Sequence, residues 1–265
     1  MLNNIFLKTL RDQLVSIFWW SAGFIFLSIY LAYFFPYMSE NAAIFKMVDS
    51  LPPVIKNLIG DVRFVSTPAG FFNLQPFSYF APIMILFYSV SRGVGVIAGE
   101  IENGTLDLLL SKPVSRSGVI FQKVLSISLA LAIIHVFFLL GMVLGLILFK
   151  IDLSIIKLTE AIIALYMLSL SFLTISVTAG IIFLNKRKAV GLVSGFALIS
   201  FLINAYAPAV NSLQIARIFS PFYYNSGNSP ILNGLNLNHL MIQVFIAVFF
   251  LMVSILVFKK RDLYS

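Results

Sequence analysis

The sequence predicts an all-α integral membrane protein with six transmembrane helices, and three observations carry that prediction. Of its 265 residues 60% are hydrophobic and only 11% are charged, with a mean hydropathy of +1.00; a water-soluble domain of this size would lack the polar surface to cover itself. Six stretches contain no Asp, Glu, Lys or Arg: Gln13 to Ser39, Phe64 to Ser91, Val124 to Phe149, Ala161 to Asn185, Ala189 to Ala216 and Ile218 to Phe258. A spanning helix needs about 20 apolar residues, and each stretch supplies one. The third observation is the distribution of bases. With spans at Leu14 to Phe35, Phe77 to Ala98, Val119 to Phe149, Thr159 to Leu184, Ala189 to Pro208 and Leu240 to Phe258, an inside N-terminus puts twelve Lys and Arg on the inner side and six on the outer. The positive-inside rule then predicts that both termini are cytoplasmic, and a multi-pass protein of the cell (plasma) membrane is the expectation. No repeat, low-complexity tail or soluble domain interrupts the pattern, so residues 1–265 read as one transmembrane domain.

Taken in order, Leu7, Leu10, Leu14 and Ile17 recur at helical spacing around Lys8, Arg11 and Asp12, which predicts an N-terminal amphipathic helix in the inner interface. The run that follows is too long for a signal peptide and lacks a small-residue cleavage site, so it reads as a retained first span. In the outer loop from Pro36 to Gln75, Ser39 can cap a helix with Ile44, Phe45, Val48 and Leu51 on one face, stopped by Pro52-Pro53; a second short turn, Val54 to Ile59, ends at Gly60. Span two is expected to begin at Pro76, with a kink at Pro82 and Arg92 snorkelling at its inner end.

Spans three and five carry Gly141-xxx-Gly145 and Gly191-xxx-Gly195, spacings that let helices approach closely within a chain or across a dimer. On span four, Ser171, Thr174 and Thr178 share a face, which interhelical hydrogen bonding explains at least as well as a substrate path. The tight turn Asn185-Lys186-Arg187-Lys188 reads as a topology determinant touching anionic lipid rather than as a nucleic-acid patch. The last outer loop, Ser220 to Gly234, is rich in Pro, Gly and Asn, with apolar residues suited to dip partly into the bilayer.

Little catalytic chemistry is on offer. The absence of cysteine excludes disulfides, thiolate metal sites and cysteine nucleophiles. His135, in the middle of span three, reads as a hydrogen-bonded packing residue, and His239 lies at the outer mouth of span six; two histidines so far apart make no metal site. No Gly-xxxx-Gly-Lys-Ser/Thr occurs, so any ATP must be bound by another subunit.

The exception to this bland picture is the inner loop from Ala98 to Gly118. Gly104-Thr105 can break and cap a short helix, Asp107 suits its positive first turn, and Leu106, Leu109 and Leu110 line one side before Pro113 stops it. An exposed leucine face must bury itself in headgroups, in its own bundle or in a partner. Gly99-Glu100, Gly104-Thr105-Leu106, Leu109-Leu110 and Lys112-Pro113-Val114-Ser115-Arg116 resemble, in that order, the loop between the second and third spans of ABC type-2 permeases. The resemblance extends to the six-span layout, to Leu51-Pro52 and to Ser220-Pro221-Phe222-Tyr223-Tyr224 before the last span.

That resemblance implies a permease subunit of an ABC exporter, with no cofactor in this chain and ATP and Mg held by a separate partner. It implies a dimer with a second permease chain, identical or homologous, and two ATPase subunits. The loop helix, about 104–113, would be the coupling helix docking into the ATPase through Glu100, Gly104, Thr105, Leu106, Leu109, Leu110, Pro113 and Arg116. The transported substrate is not specified by the pattern. The residues alone leave two rivals open: a secondary transporter, for which Pro82 and His135 are the only support, and an intramembrane lipid-acting enzyme, which would need acids, histidines or a nucleophile at one depth.

Overall fold

The computed structural model describes residues 4–40, 66–106, 114–208 and 210–260. Within them six helices are long and apolar enough to cross a membrane: Leu14–Ser39, Pro68–Val94, Arg116–Leu148, Ile155–Phe183, Lys186–Tyr206 and Leu237–Lys260. They are the six spans the sequence predicts, and the all-α membrane fold is confirmed. A short amphipathic helix, Ile5–Arg11, precedes them; Asn4 caps it by accepting the Phe6 N–H at 2.9 Å.

Two boundaries differ from expectation for physical reasons. Ser39 does not cap a new helix: the first span's helix runs through Pro36 to Glu40, and the Ser39 hydroxyl donates to the Pro36 carbonyl at 3.1 Å. Proline removes one donor but keeps a helical φ, so it is tolerated near a helix end. The outer-loop helices expected between Ile44 and Gly60 lie outside the described residues. Span two begins eight residues before Pro76, at Pro68, with the Thr67 hydroxyl accepting the Gly70 N–H at 3.1 Å. Pro76 falls inside a π-helical stretch, Asn73–Phe80, and regular α-helix resumes at Ala81. The irregularity expected at Pro82 therefore lies upstream of it, where the wider turn accommodates Pro76.

Span four is the most buried of the six and forms the centre of the bundle. It packs against spans two, three, five and six. Its approach to span two is close because Gly93 faces the Leu173 carbonyl and Gly180 faces the Val94 carbonyl; a Cβ at either glycine would lie 2.7 Å from that oxygen. Gly141 and Gly145 of span three do the same against Ile25, Ser28 and Ala32 of span one, so this glycine pair is a seam within the chain. Gly191 and Gly195 of span five meet nothing within 4 Å.

Several polar residues of the spans bond neighbouring helices. The Ser171 hydroxyl donates to the Gln243 carbonyl at 3.2 Å, and Thr178 reaches the Phe250 carbonyl at 3.0 Å and Ser254 at 2.8 Å, bonding span four to span six. His135 is buried, with Nδ1 2.8 Å from the Leu131 carbonyl and its ring edge-on to Tyr166. Its Nε2 is buried without a hydrogen-bond partner among the described residues. The segment before span six enters the bundle: Phe222, on the short helix Pro221–Ser226, packs on Phe172 of span four and Phe201 of span five.

Candidate docking site at the basic end

Both ends of the described chain lie at the same end of the bundle, together with the turn after span two and the hairpin between spans four and five. Local sequence explains how the turn is built. Span two stops at Val94, and a five-residue helix, Ala98–Glu102, follows Gly95. Gly104 adopts φ +65°, a left-handed conformation that costs glycine nothing. The chain then folds back so that the Thr105 N–H donates to the Glu100 carbonyl at 2.9 Å and the Thr105 hydroxyl donates to the Glu100 carboxylate.

Span three supplies the counter-charge. Lys123 extends its ammonium to the Glu100 carboxylate at 2.5 Å and to the Val96 carbonyl at 2.9 Å. It is only 6% exposed. Burial pushes the Glu100 carboxyl pKa up, but the hydrogen bonds from Lys123 and Thr105 and the charges of Lys123 and Lys8 outweigh it and hold the group below its ordinary value. Glu100 is thus an ionised clamp joining the end of span two, the turn at Thr105 and span three.

A second tie fixes the N-terminal helix to the same place. Ile5 is buried with Val119 of span three, and the Phe6 N–H faces the Gln122 side chain at 3.4 Å. The Tyr88 hydroxyl of span two donates to Gln13 Oε1 at 2.8 Å, while Gln13 Nε2 donates to the Thr9 carbonyl at 2.9 Å. Between these ties is a polar cleft of about 230 Å³, walled by Asp12, Gln13, Arg92, Glu100, Lys123 and Lys186.

Of the predicted docking residues, the structure brings Glu100, Gly104 and Thr105 into one turn. Leu106 is buried, 8% exposed, so its side chain is not presented to solvent as the expected leucine face would require. Arg116 opens the span-three helix and reaches across to span six, with Nη1 3.4 Å from the Phe258 carbonyl and the guanidinium 5.9 Å from the Phe258 ring. Leu109, Leu110 and Pro113 lie outside the described residues. Sequence reasoning missed Lys123, Gln13 and Tyr88. A signal existed for Lys123: a lysine one turn inside a predicted span needs a partner, and Glu100 is a carboxylate of the adjoining loop. Nothing in the sequence singles out Gln13 and Tyr88, which meet only through tertiary packing.

The opposite end carries a different polar group. Arg217 stacks 4.8 Å from the Tyr223 ring and donates through Nε to Asn204 at 3.0 Å, and His239 sits against Tyr223 and Tyr224. Burial lowers the Arg217 pKa, partly offset by Tyr223. No cluster of three or more His, Cys, Asp or Glu side chains able to hold a metal occurs among the described residues.

Compared with known proteins, the chain matches the family described as ABC-2 family transporter protein over residues 3–263. No curated protein matches it.

Proposed function

The chain belongs to the ABC-2 family of transporter proteins, a membrane transport component, and from that membership we propose that it is the permease subunit of an ATP-driven exporter. ATP and Mg are bound by two separate ATPase subunits, a second permease chain completes the complex, and both termini of this chain face the cytoplasm in the plasma membrane. The ATPase docks at the loop between spans two and three. The observation that carries the docking reading is the Glu100 clamp: the loop leaves span two beside Glu100 and enters span three at Arg116, and Lys123 ties these two spans to the same carboxylate. A displacement imposed on the loop is therefore delivered to spans two and three together. Since span two packs on span four through Gly93 and Gly180, the movement passes to the centre of the bundle as a rigid-body shift.

Leu109→Asp with Leu110→Asp tests this directly, because Leu106, being buried, would confound folding with docking. The expected outcome is normal membrane insertion with loss of the co-expressed ATPase on copurification, as two charges replace a desolvated apolar contact. Copurification at wild-type yield would overturn the assignment.

A further inference from the structure

At the end of the bundle opposite the basic turns, two buried polar atoms of span six have no partner among the described residues: Gln243 Oε1 and His239 Nδ1. Their side chains lie one turn apart on the same face of the helix Leu237–Lys260. Gln243 is 1% exposed and sits about 9 Å into the helix at the usual rise of about 1.5 Å per residue. Its other polar groups are already engaged. The backbone carbonyl accepts the Ser171 hydroxyl at 3.2 Å, and Nε2 donates to the Pro221 carbonyl at 3.4 Å. Turning the amide over would set Oε1 against the Pro221 oxygen, so Oε1 needs a donor from another source; a carbonyl left unpaired at membrane depth is strongly destabilising.

Gln243 and His239 line one small pocket, walled also by Met167 of span four and by Tyr224, Asn225 and Asn228 of the segment before span six. Its volume is about 10 Å³, room for a single water. The donors on its walls point elsewhere. Asn225 and Asn228 direct Nδ2 to the Phe77 and Gly234 carbonyls at 3.4 and 3.0 Å, and the Tyr224 hydroxyl donates to the Ile218 carbonyl at 2.7 Å. Charge then decides the kind of ligand. No carboxylate lines the pocket, and Arg217 rests on the Tyr223 ring that His239 also touches. A positive charge already stands beside the site, which disfavours a metal cation.

We infer that this pocket binds one water molecule, which donates to Gln243 Oε1 and bonds His239 Nδ1 as donor or acceptor according to the tautomer of the ring. A ligand of this size that serves both atoms must combine donor and acceptor capacity, which water does and an alkali cation does not. The water has a structural consequence beyond its own bonds. It lets Gln243 keep Nε2 on Pro221 without stranding Oε1, and that bond fastens the short helix Pro221–Ser226 to span six. The inference is independent of the docking proposed above, because it is read on the permease without an ATPase.

The test is a crystal structure of the full-length chain grown in lipidic mesophase, once with sodium and once with rubidium as the alkali ion. The expected map holds one peak within about 2.5–3.2 Å of both Gln243 Oε1 and His239 Nδ1, of equal height in the two salts. A peak that rises with rubidium would be a cation, and a pocket without a peak would be dry; either result overturns the inference. Thermal midpoints in detergent give a second reading. With the water in place, His239→Phe takes away one of its partners and should lower the midpoint by about 2–4 °C. In a dry pocket the same change removes an orphaned nitrogen, so a raised midpoint would overturn the inference. Gln243→Met removes the other partner at nearly constant length. Because both losses pass through one water, the double variant should melt close to the worse single one, whereas summed losses would show that the two atoms share no ligand and would overturn it equally.

Discussion

Replacing Glu100 by glutamine leaves the Lys123 ammonium buried without its counter-charge, with only neutral acceptors, the Val96 carbonyl 2.9 Å away and the glutamine amide oxygen. Removing one member of a buried ion pair costs about 3–5 kcal/mol, most of it the penalty of the charge left behind. The Glu100 side chain is 23% exposed against 7% for Lys123, so water can reach the site from one side and the lower end applies, about 3 kcal/mol. For a chain of this size that is a fall of about 6 to 12 °C in thermal midpoint, measurable by differential scanning fluorimetry in detergent. Adding Lys123→Met removes the stranded charge and should restore about 2 kcal/mol of the loss. If the two single substitutions instead add within about 0.5 kcal/mol, the residues do not act as a unit and the clamp is refuted. The pH dependence gives a second check. The folded-state pKa of Glu100 lies below its unfolded value, which is about 4.3; the clamp's stabilisation is complete above that unfolded value and is lost as pH falls through the folded one. The wild-type advantage over Glu100→Gln should therefore be constant at neutral pH and disappear in acid.

Two further substitutions test the packing. Gly141→Val would place a Cβ 2.8 Å from the Ile25 backbone and should cost about 1–3 kcal/mol; Gly195→Val, which meets nothing within 4 Å, should stay within about 0.5 kcal/mol, and equal losses in fluorimetry would refute the seam between spans one and three. Thr178→Val removes the bonds to Phe250 and Ser254 and should cost about 0.6 kcal/mol, the usual value for an interhelical bond in a membrane. A loss above about 2 kcal/mol would show that the hydroxyl does more than join spans four and six.

The existence of all six spans was legible because a charge-free apolar run of sufficient length has few other uses. Their ends were less so. Asn73 and Gln75 made the start of span two look like loop, yet Asn73 is buried and donates to the Ser229 hydroxyl at 3.4 Å, a partner 156 residues away. Ser39 read as a helix start because serine caps helices in water, while here its hydroxyl has a local carbonyl to bond. At the candidate site the loop pattern marked Glu100, Gly104 and Thr105 as a group, and the three lie together in one turn. What the pattern could not show is that Glu100 faces inward to a lysine, since the pairing of residues 23 positions apart depends on how spans two and three lie side by side.

The clamp also separates what may vary from what must stay. On one side the chain is fastened by Thr105 on Glu100; on the other, the Ser115 hydroxyl accepts the Gly118 N–H at 3.1 Å and starts span three. Both ends of the segment 107–113 are thus held, by Thr105 on one side and by Ser115 on the other. Lengthening a loop between fixed ends is inexpensive, about 0.6 kcal/mol for each doubling. An exchange of residues 107–113 therefore leaves both anchor points in place, and under the proposed docking a replaced cassette would still act on spans two and three.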